Sequence, residues 1–277
     1  MNEERANPLR KGGIVVRALA GMIVLACATK SGVVLAAPPP DAGKTAILME
    51  LFTSEGCSSC PPIDNWVERL DAFQPIGGAQ LIVLSEHVDY WDHDGWKDPY
   101  SSASLTARQK GYATMLGLSD VYTPQVIMDG DVEIHPTKTD EVKQSLEKAA
   151  GTPMMGVRIE SAALASGEPG VLTGRVAVDG ALEKHGGDVF VAVALDKVQT
   201  DVLAGENNGK KLTNVAVVED LVKIGKLEKG KNFEQAFRIK LWNGADATNL
   251  RVVAFVQGSG LGKVLGAGMT KEIGREQ

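Results

Sequence analysis

Glu50-Leu-Phe-Thr-Ser-Glu-Gly-Cys57-Ser-Ser-Cys60-Pro-Pro-Ile-Asp64 is the stretch from which the fold reads outward. The apolar run from Ala46 to Phe52 stops at a short polar turn. Two cysteines three apart follow, then two prolines that suit a first helical turn, where the missing N–H has no partner to lose. Cys57 therefore stands at or just before a helix N-terminus, with Cys60 one turn on. Residues at i and i+3 share a helix face, close enough for the Cα separation of a disulfide. Free N–H groups and the positive end of the helix dipole favour a thiolate there. These are the conditions for a redox dithiol.

The elements around this stretch follow from periodicity. Ala46–Phe52 and Leu81–Leu84 read as buried strands, and residues 60–73 carry apolar positions at 63, 66, 67, 70 and 73, a helical spacing. A strand, a helix and a second strand in that order predict a parallel pair with a right-handed crossover. A long polar and aromatic connection, 85–99, leads to a helix over Ser101–Leu116 that Gly117 ends. Gln125–Met128 and Val132–Ile134 flank Asp129-Gly130, a strong hairpin turn. Thr137 is placed to cap a third helix that runs to about Ala150.

The pattern changes at Gly151-Thr152-Pro153. Seven β-rich stretches follow, at 154–161, 171–179, 188–196, 212–219, 233–241, 250–257 and 263–268, separated by turn residues. This spacing predicts an antiparallel sandwich or barrel, with 215–225 open to a helical alternative. The expected organisation is an α/β domain over 45–151 followed by an all-β, sandwich-like domain over 152–277.

The 277 residues are 44% hydrophobic and 23% charged, as in an ordinary globular protein. Residues 1–37 read as a signal segment and 38–44 as a linker. Arg5, Arg10, Lys11 and Arg17 precede an apolar stretch from Ala18 to Ala28, with small residues at Ala36 and Ala37. A lipoprotein signal that modifies Cys27 and an uncleaved anchor are the competing readings. Without residues 1–36 the chain has 24 basic and 33 acidic groups, a net charge of −9. That balance argues against nucleic acid as a partner, and against membrane contact other than through the N-terminal signal or a lipid anchor. The expected location is the periplasm or outside the cell. Only Cys57 and Cys60 of the three cysteines then remain in the folded part. A disulfide scaffold uses several scattered cysteines, so one close pair in an oxidising compartment reads as functional.

The order of elements over 45–150, with C-x-x-C where the first strand meets the first helix and Thr-Pro before the third strand, resembles the thioredoxin fold. Four motifs are similar to those of a bacterial family of secreted thioredoxin-like proteins known mainly by a domain-of-unknown-function label. They are the quoted stretch through Pro62, His87-Val-Asp-Tyr-Trp-Asp92, Gly95-Trp-Lys-Asp-Pro-Tyr100 and Val121-Tyr-Thr-Pro-Gln125. Gly205-Glu-Asn-Asn-Gly-Lys-Lys-Leu-Thr-Asn214 resembles a fifth, in the family's C-terminal half. The resemblance implies that Cys57 attacks, that Cys60 resolves, and that Pro124 is a cis-proline facing the dithiol. It implies substrate contacts from Thr123, Ser58 and Ser59. Thioredoxins carry Trp before the first cysteine and Gly-Pro between the two, where this chain has Gly56 and Ser58-Ser59. Their buried acid corresponds to Leu51, which leaves Glu50, one residue away, as the candidate proton acceptor.

The leading functional expectation is a thiol–disulfide oxidoreductase acting on protein or small-molecule thiols and disulfides, with no cofactor beyond the dithiol. Two alternatives stay open. One is a copper- or zinc-binding module that uses Cys57, Cys60 and His87, because thiolate and imidazole suit those metals. The other is a non-catalytic secreted binding protein.

Overall fold

Strands β1 (Thr45–Thr53) and β2 (Ala79–His87) are parallel neighbours joined through helix α1 (Pro61–Phe73), in a computed structural model that describes residues 43–180, 185–242 and 245–276. The expected signal segment lies outside the described residues, as does most of the linker. Both faces of β1 are covered, which is why its sequence is an apolar run rather than an alternation. Ser102 caps α2 (Ala103–Leu116) by accepting a hydrogen bond from the Ser104 N–H, and Gly117 ends it at φ 67°. Between β3 (Gln125–Met128) and β4 (Val132–Ile134), Asp129 and Gly130 both take positive φ, 49° and 60°, as a two-residue hairpin turn requires. Helix α3 (Thr139–Ala150) begins two residues after Thr137, and Lys138 precedes it without a side-chain cap. Asp140 and Glu141 in its first turn complement the helix dipole instead.

The expected α/β domain followed by an all-β domain is corrected by the sheet topology. The later strands are β5 (Gly156–Leu164), β6 (Val171–Asp179), β7 (Gly187–Asp201), β8 (Lys211–Leu227), β9 (Phe233–Lys240), β10 (Leu250–Gln257), β11 (Val264–Thr270) and β12 (Gly274–Arg275). Four of them return to the first sheet, whose order is β11-β10-β7-β8-β2-β1-β3-β4. The junction is a parallel pairing of β2 with β8 at Ser85 and Val217. The other sheet is β12-β5-β6-β9. The described residues thus form one mixed-sheet structure of twelve strands and three α-helices. The physical reason lies at the edge of β2. It is a buried apolar strand that would otherwise end the sheet with a row of unpaired N–H and C=O groups, and β8 pairs with that edge at Ser85. The helical alternative for 215–225 fails for the same reason, since these residues lie inside β8.

The layers follow from strand alternation. Ile47, Met49 and Leu51 face α1 and α3, packing with Val67, Val142 and Leu146. Residues 46, 48 and 50 face the other way, toward α2. The extension of the large sheet is buried on both faces. Val189, Val191 and Val193 pack against the small sheet through Leu172, Val176 and Val178. Ala192 and Ala194 pack with Leu48, Leu84 and Leu105. Charged side chains also cross between early and late segments. Arg251 of β10, 1% exposed, donates two hydrogen bonds to Asp71 of α1, at 2.9 and 2.8 Å, and further bonds to Asp196.

Candidate functional site

Cys57 and Cys60 form a disulfide with a Cα separation of 5.4 Å, and Cys60 directly precedes α1. Both cysteine side chains are buried, while Ser58 and Ser59 between them are exposed. Ser59 Oγ lies 3.3 Å from Cys57 Sγ, and the Thr123 carbonyl oxygen lies 3.8 Å from the same sulfur and 3.4 Å from Ser59 Oγ. The Thr123–Pro124 peptide bond is cis. The structure therefore brings together Cys57, Cys60, Ser59, Thr123 and Pro124.

The acidic-aromatic connection packs onto this motif. Trp91 donates from Nε1 to Thr123 Oγ1 at 2.6 Å, and its backbone oxygen would lie 2.8 Å from any Cβ at position 56. That close approach is the physical reason for a glycine at position 56.

Beneath the motif is a buried polar hub. Asp98 accepts hydrogen bonds from the Glu55 N–H at 2.8 Å and the Tyr100 N–H at 2.9 Å, and meets His87 Nδ1 at 2.7 Å. Burial opposes both charges of the pair, yet each partner's charge and hydrogen bond outweigh it. Asp98 sits below the usual carboxylate range and His87 above the usual imidazole value. Burial, then the charge of Asp98, raises Glu55. His87 Nε2 is buried without a hydrogen-bond partner. Asp64 lies one turn beyond Cys60 on α1 and accepts from the Thr53 hydroxyl at 2.8 Å. Burial pushes it up to about 7. A cleft of about 400 Å³ beside it is lined by Pro61, Asp64, Asn65 and residues 210–213.

Glu50 faces α2, away from α1. Its carboxylate accepts from Arg108 Nε at 2.6 Å and from the Tyr112 hydroxyl at 2.5 Å. Burial would raise it, but the Arg108 guanidinium holds it below the usual range. Glu86, 3.5 Å from the same guanidinium, is raised by burial and then by the charge of Glu50, so it keeps its proton. On the disulfide's own helix, Asp64 is the buried carboxyl nearest Cys60 in sequence.

His87 points into the hub, and among the described residues no three His, Cys, Asp or Glu side chains form a metal-holding group. His93 pairs with Asp94 at 3.1 Å and stacks on Trp91.

Sequence reasoning gave no role to Asp64, Asp98, Glu206 or Asn207. The last two sit at the tip of the β7–β8 hairpin. Asn207 is fully buried and donates both side-chain N–H groups, to the carbonyl oxygens of Glu55 at 2.8 Å and Cys57 at 2.9 Å. Glu206 accepts from the Ser58 N–H at 3.0 Å. Asp98 and Asn207 both fall inside motifs that carried the family resemblance, and that was the available signal.

The chain belongs to a family of proteins of unknown function, DUF1223, whose model matches residues 48–257. No curated protein matches it. Among solved structures, it is similar to a protein from Agrobacterium tumefaciens at 25% identity, covering 83% of this chain and 95% of that one with a TM-score of 0.62. It is also similar to HBP35 of Porphyromonas gingivalis at 16% identity, covering 84% and 79% with a TM-score of 0.64, a likeness of fold alone.

Proposed function

We propose that this chain carries out thiol–disulfide exchange through Cys57 and Cys60, as a thioredoxin-like site working in the periplasm or outside the cell. The observation that carries the reading is the disulfide at the start of α1, with the Ser59 hydroxyl 3.3 Å from Cys57 Sγ and the Thr123 carbonyl 3.8 Å from it. A ring this small restrains the unfolded chain little, so a stapling role accounts poorly for it. Both sulfurs lie below the surface, and an incoming sulfur reaches Cys57 past Ser59 and Thr123. Oxidising conditions are consistent with the basic and apolar N-terminal pattern.

In this reading the reduced Cys57 thiolate attacks one sulfur of a substrate disulfide. A Cys57–substrate S–S bond forms, the substrate S–S bond breaks, and one substrate thiolate leaves. The Cys60 thiolate then attacks Cys57 Sγ and releases the second. The substrate gains two electrons, the protein dithiol loses two, and the cysteine protons end on the leaving thiols. Asp64, one turn from Cys60 with a value of about 7, is suited to hold the Cys60 proton. The reverse sequence oxidises a substrate dithiol.

The Cys60→Ser variant, mixed with a small disulfide, is expected to accumulate a mixed disulfide on Cys57 visible by mass, and Cys57→Ser is not. The wild-type pair is expected to titrate reversibly between about −120 and −270 mV. No adduct, together with a pair still oxidised below about −300 mV, would point to a structural disulfide. A hydroxyl that donates to a thiolate favours the charged form. Ser59→Ala is accordingly expected to raise the Cys57 pKa by about one unit, followed as thiolate absorbance against pH. An unchanged midpoint would assign the Ser59 hydroxyl to the Thr123 carbonyl instead.

A further inference from the structure

The hairpin tip beside the disulfide is held rigidly. Val202 and Gly209 close it by a backbone bond of 2.8 Å, and Gly205, at φ 71°, has Trp96 Cβ within 3.2 Å of where its own Cβ would stand. Asn207 anchors the tip to the carbonyl oxygens of Glu55 and Cys57. Glu206 is thereby fixed beside the residue that follows Cys57. Its exposed carboxylate accepts from the Ser58 N–H at 3.0 Å, and Ser58 holds it below the usual carboxylate range. The neighbouring cation, Lys210, donates from Nζ to Asn207 Oδ1 at 2.8 Å. The nearby imidazole of His93 lies 3.1 Å from Asp94. The Glu206 carboxylate therefore stands against the backbone of the residue that follows Cys57, with the Lys210 charge nearby but bonded to the Asn207 amide oxygen rather than to the carboxylate.

We infer that Glu206 is a specificity-determining residue that selects substrates carrying positive charge next to the reacting sulfur, such as a cysteine flanked by lysine or arginine or a small aminothiol. The inference rests on the exchange reading above. The same carboxylate opposes the developing Cys57 thiolate, so it sets nucleophilicity as well as partner choice. A carboxylate near the reacting sulfur attracts a cationic partner and repels an anionic one, and the difference fades as salt screens it.

The test is the rate at which the reduced full chain is oxidised by three small disulfides of similar size: cystamine, bis(2-hydroxyethyl) disulfide and dithiodiglycolate. In each reaction the protein dithiol closes to its disulfide and the probe is reduced to two thiols. At low ionic strength the wild type is expected to favour cystamine over dithiodiglycolate by on the order of tenfold beyond their ratio with free dithiothreitol. Glu206→Gln is expected to remove most of that preference and to lower the Cys57 pKa, and Glu206→Lys to reverse the preference. Exchange with the neutral probe but no charge preference, or a preference unchanged in Glu206→Gln, overturns the role of Glu206 and leaves exchange standing. No exchange with any of the three overturns both.

Discussion

Replacing Arg108 by methionine is expected to cost about 3–5 kcal/mol of stability, the range for breaking a buried ion pair by removing one partner. Arg108 is the cation between the buried Glu50 carboxylate, at 2.6 Å, and the buried Glu86 side chain, at 3.5 Å. Its Nη2 also donates to the Tyr112 hydroxyl at 2.8 Å and to Gln257 Oε1 at 3.1 Å. The guanidinium lies over the rings of Tyr112, Phe190 and Phe255, at 5.0, 5.8 and 5.5 Å from their centroids. Methionine fills some of that volume but leaves Glu50 without a cation, with the Tyr112 hydroxyl still donating to it. The loss should depend on pH. Glu50 is now held below its ordinary value, so its stabilisation is present above about 4.5 and is lost as pH falls through the folded value. Without Arg108, burial raises Glu50 instead, and ionising it becomes a penalty that grows with pH. Urea unfolding of wild type and Arg108→Met should therefore diverge more at pH 8 than at pH 5. The double variant with Glu50→Gln should recover about 1–3 kcal/mol of the loss as coupling between neighbours. Equal midpoints for wild type and Arg108→Met at pH 8 would show that the network contributes nothing. Gln257 lies in β10 and Glu50 in β1, so the same variant loosens the joint between the early and late strands.

The hub beneath the disulfide is the second large effect. Asp98→Ala removes the acceptor for the Glu55 and Tyr100 amides and the partner of His87, with an expected cost of about 3–5 kcal/mol at pH 6. The pH dependence has a definite sign. His87 is raised in the folded state, so its contribution is complete below about 6.5 and is lost as pH rises through the folded value. Asp98 is lowered, so its contribution is present above about 3.8 and is lost as pH falls through its folded value. Asp64, pushed up to about 7, and Glu55, also raised, bind protons on folding, which disfavours the folded state as pH climbs past their unfolded values. Three of the four groups thus lower stability between about pH 5 and pH 8, by a few kcal/mol in total at most. Wild-type urea midpoints should fall across that interval, and Asp98→Ala should fall less steeply, because an unpaired buried His87 stays neutral. A wild-type midpoint that rises from pH 5 to pH 8 would mean that the His87–Asp98 pair is not ionised.

The two sites share a feature that bears on exchange chemistry. Neither Glu50 nor Asp98 is free to take a proton from a cysteine, since each is held ionised by a buried cation. Asp64 is the carboxyl near the disulfide that changes state close to neutral pH. These three buried acids are thus sorted by their partners: a guanidinium and an imidazole fix two of them, and burial with one hydroxyl bond leaves the third to titrate.

What the sequence by itself determined is local. The strand–turn–helix around Cys57 and Cys60 follows from an apolar run, a polar turn and two prolines. The C-terminal end of α2 follows from Gly117, and the β3–β4 turn from Asp129-Gly130. The spans of β6 and β10 follow from runs bounded by turn residues. Each of these signals acts over a few residues, through a cap, a backbone angle or a side-chain period. What only the tertiary structure decided is which distant groups meet. β8 lies beside β2 because a buried strand edge needs a partner, and no local period encodes which one. Glu50 belongs to Arg108 rather than to Cys60 because alternation along β1 turns it toward α2. Asp98 meets His87, and Asn207 meets the carbonyl oxygen of Cys57, because buried polar groups must find partners wherever the chain has brought them. Burial, settled by the whole chain at once, separates the carboxylates that stay charged from those that keep a proton.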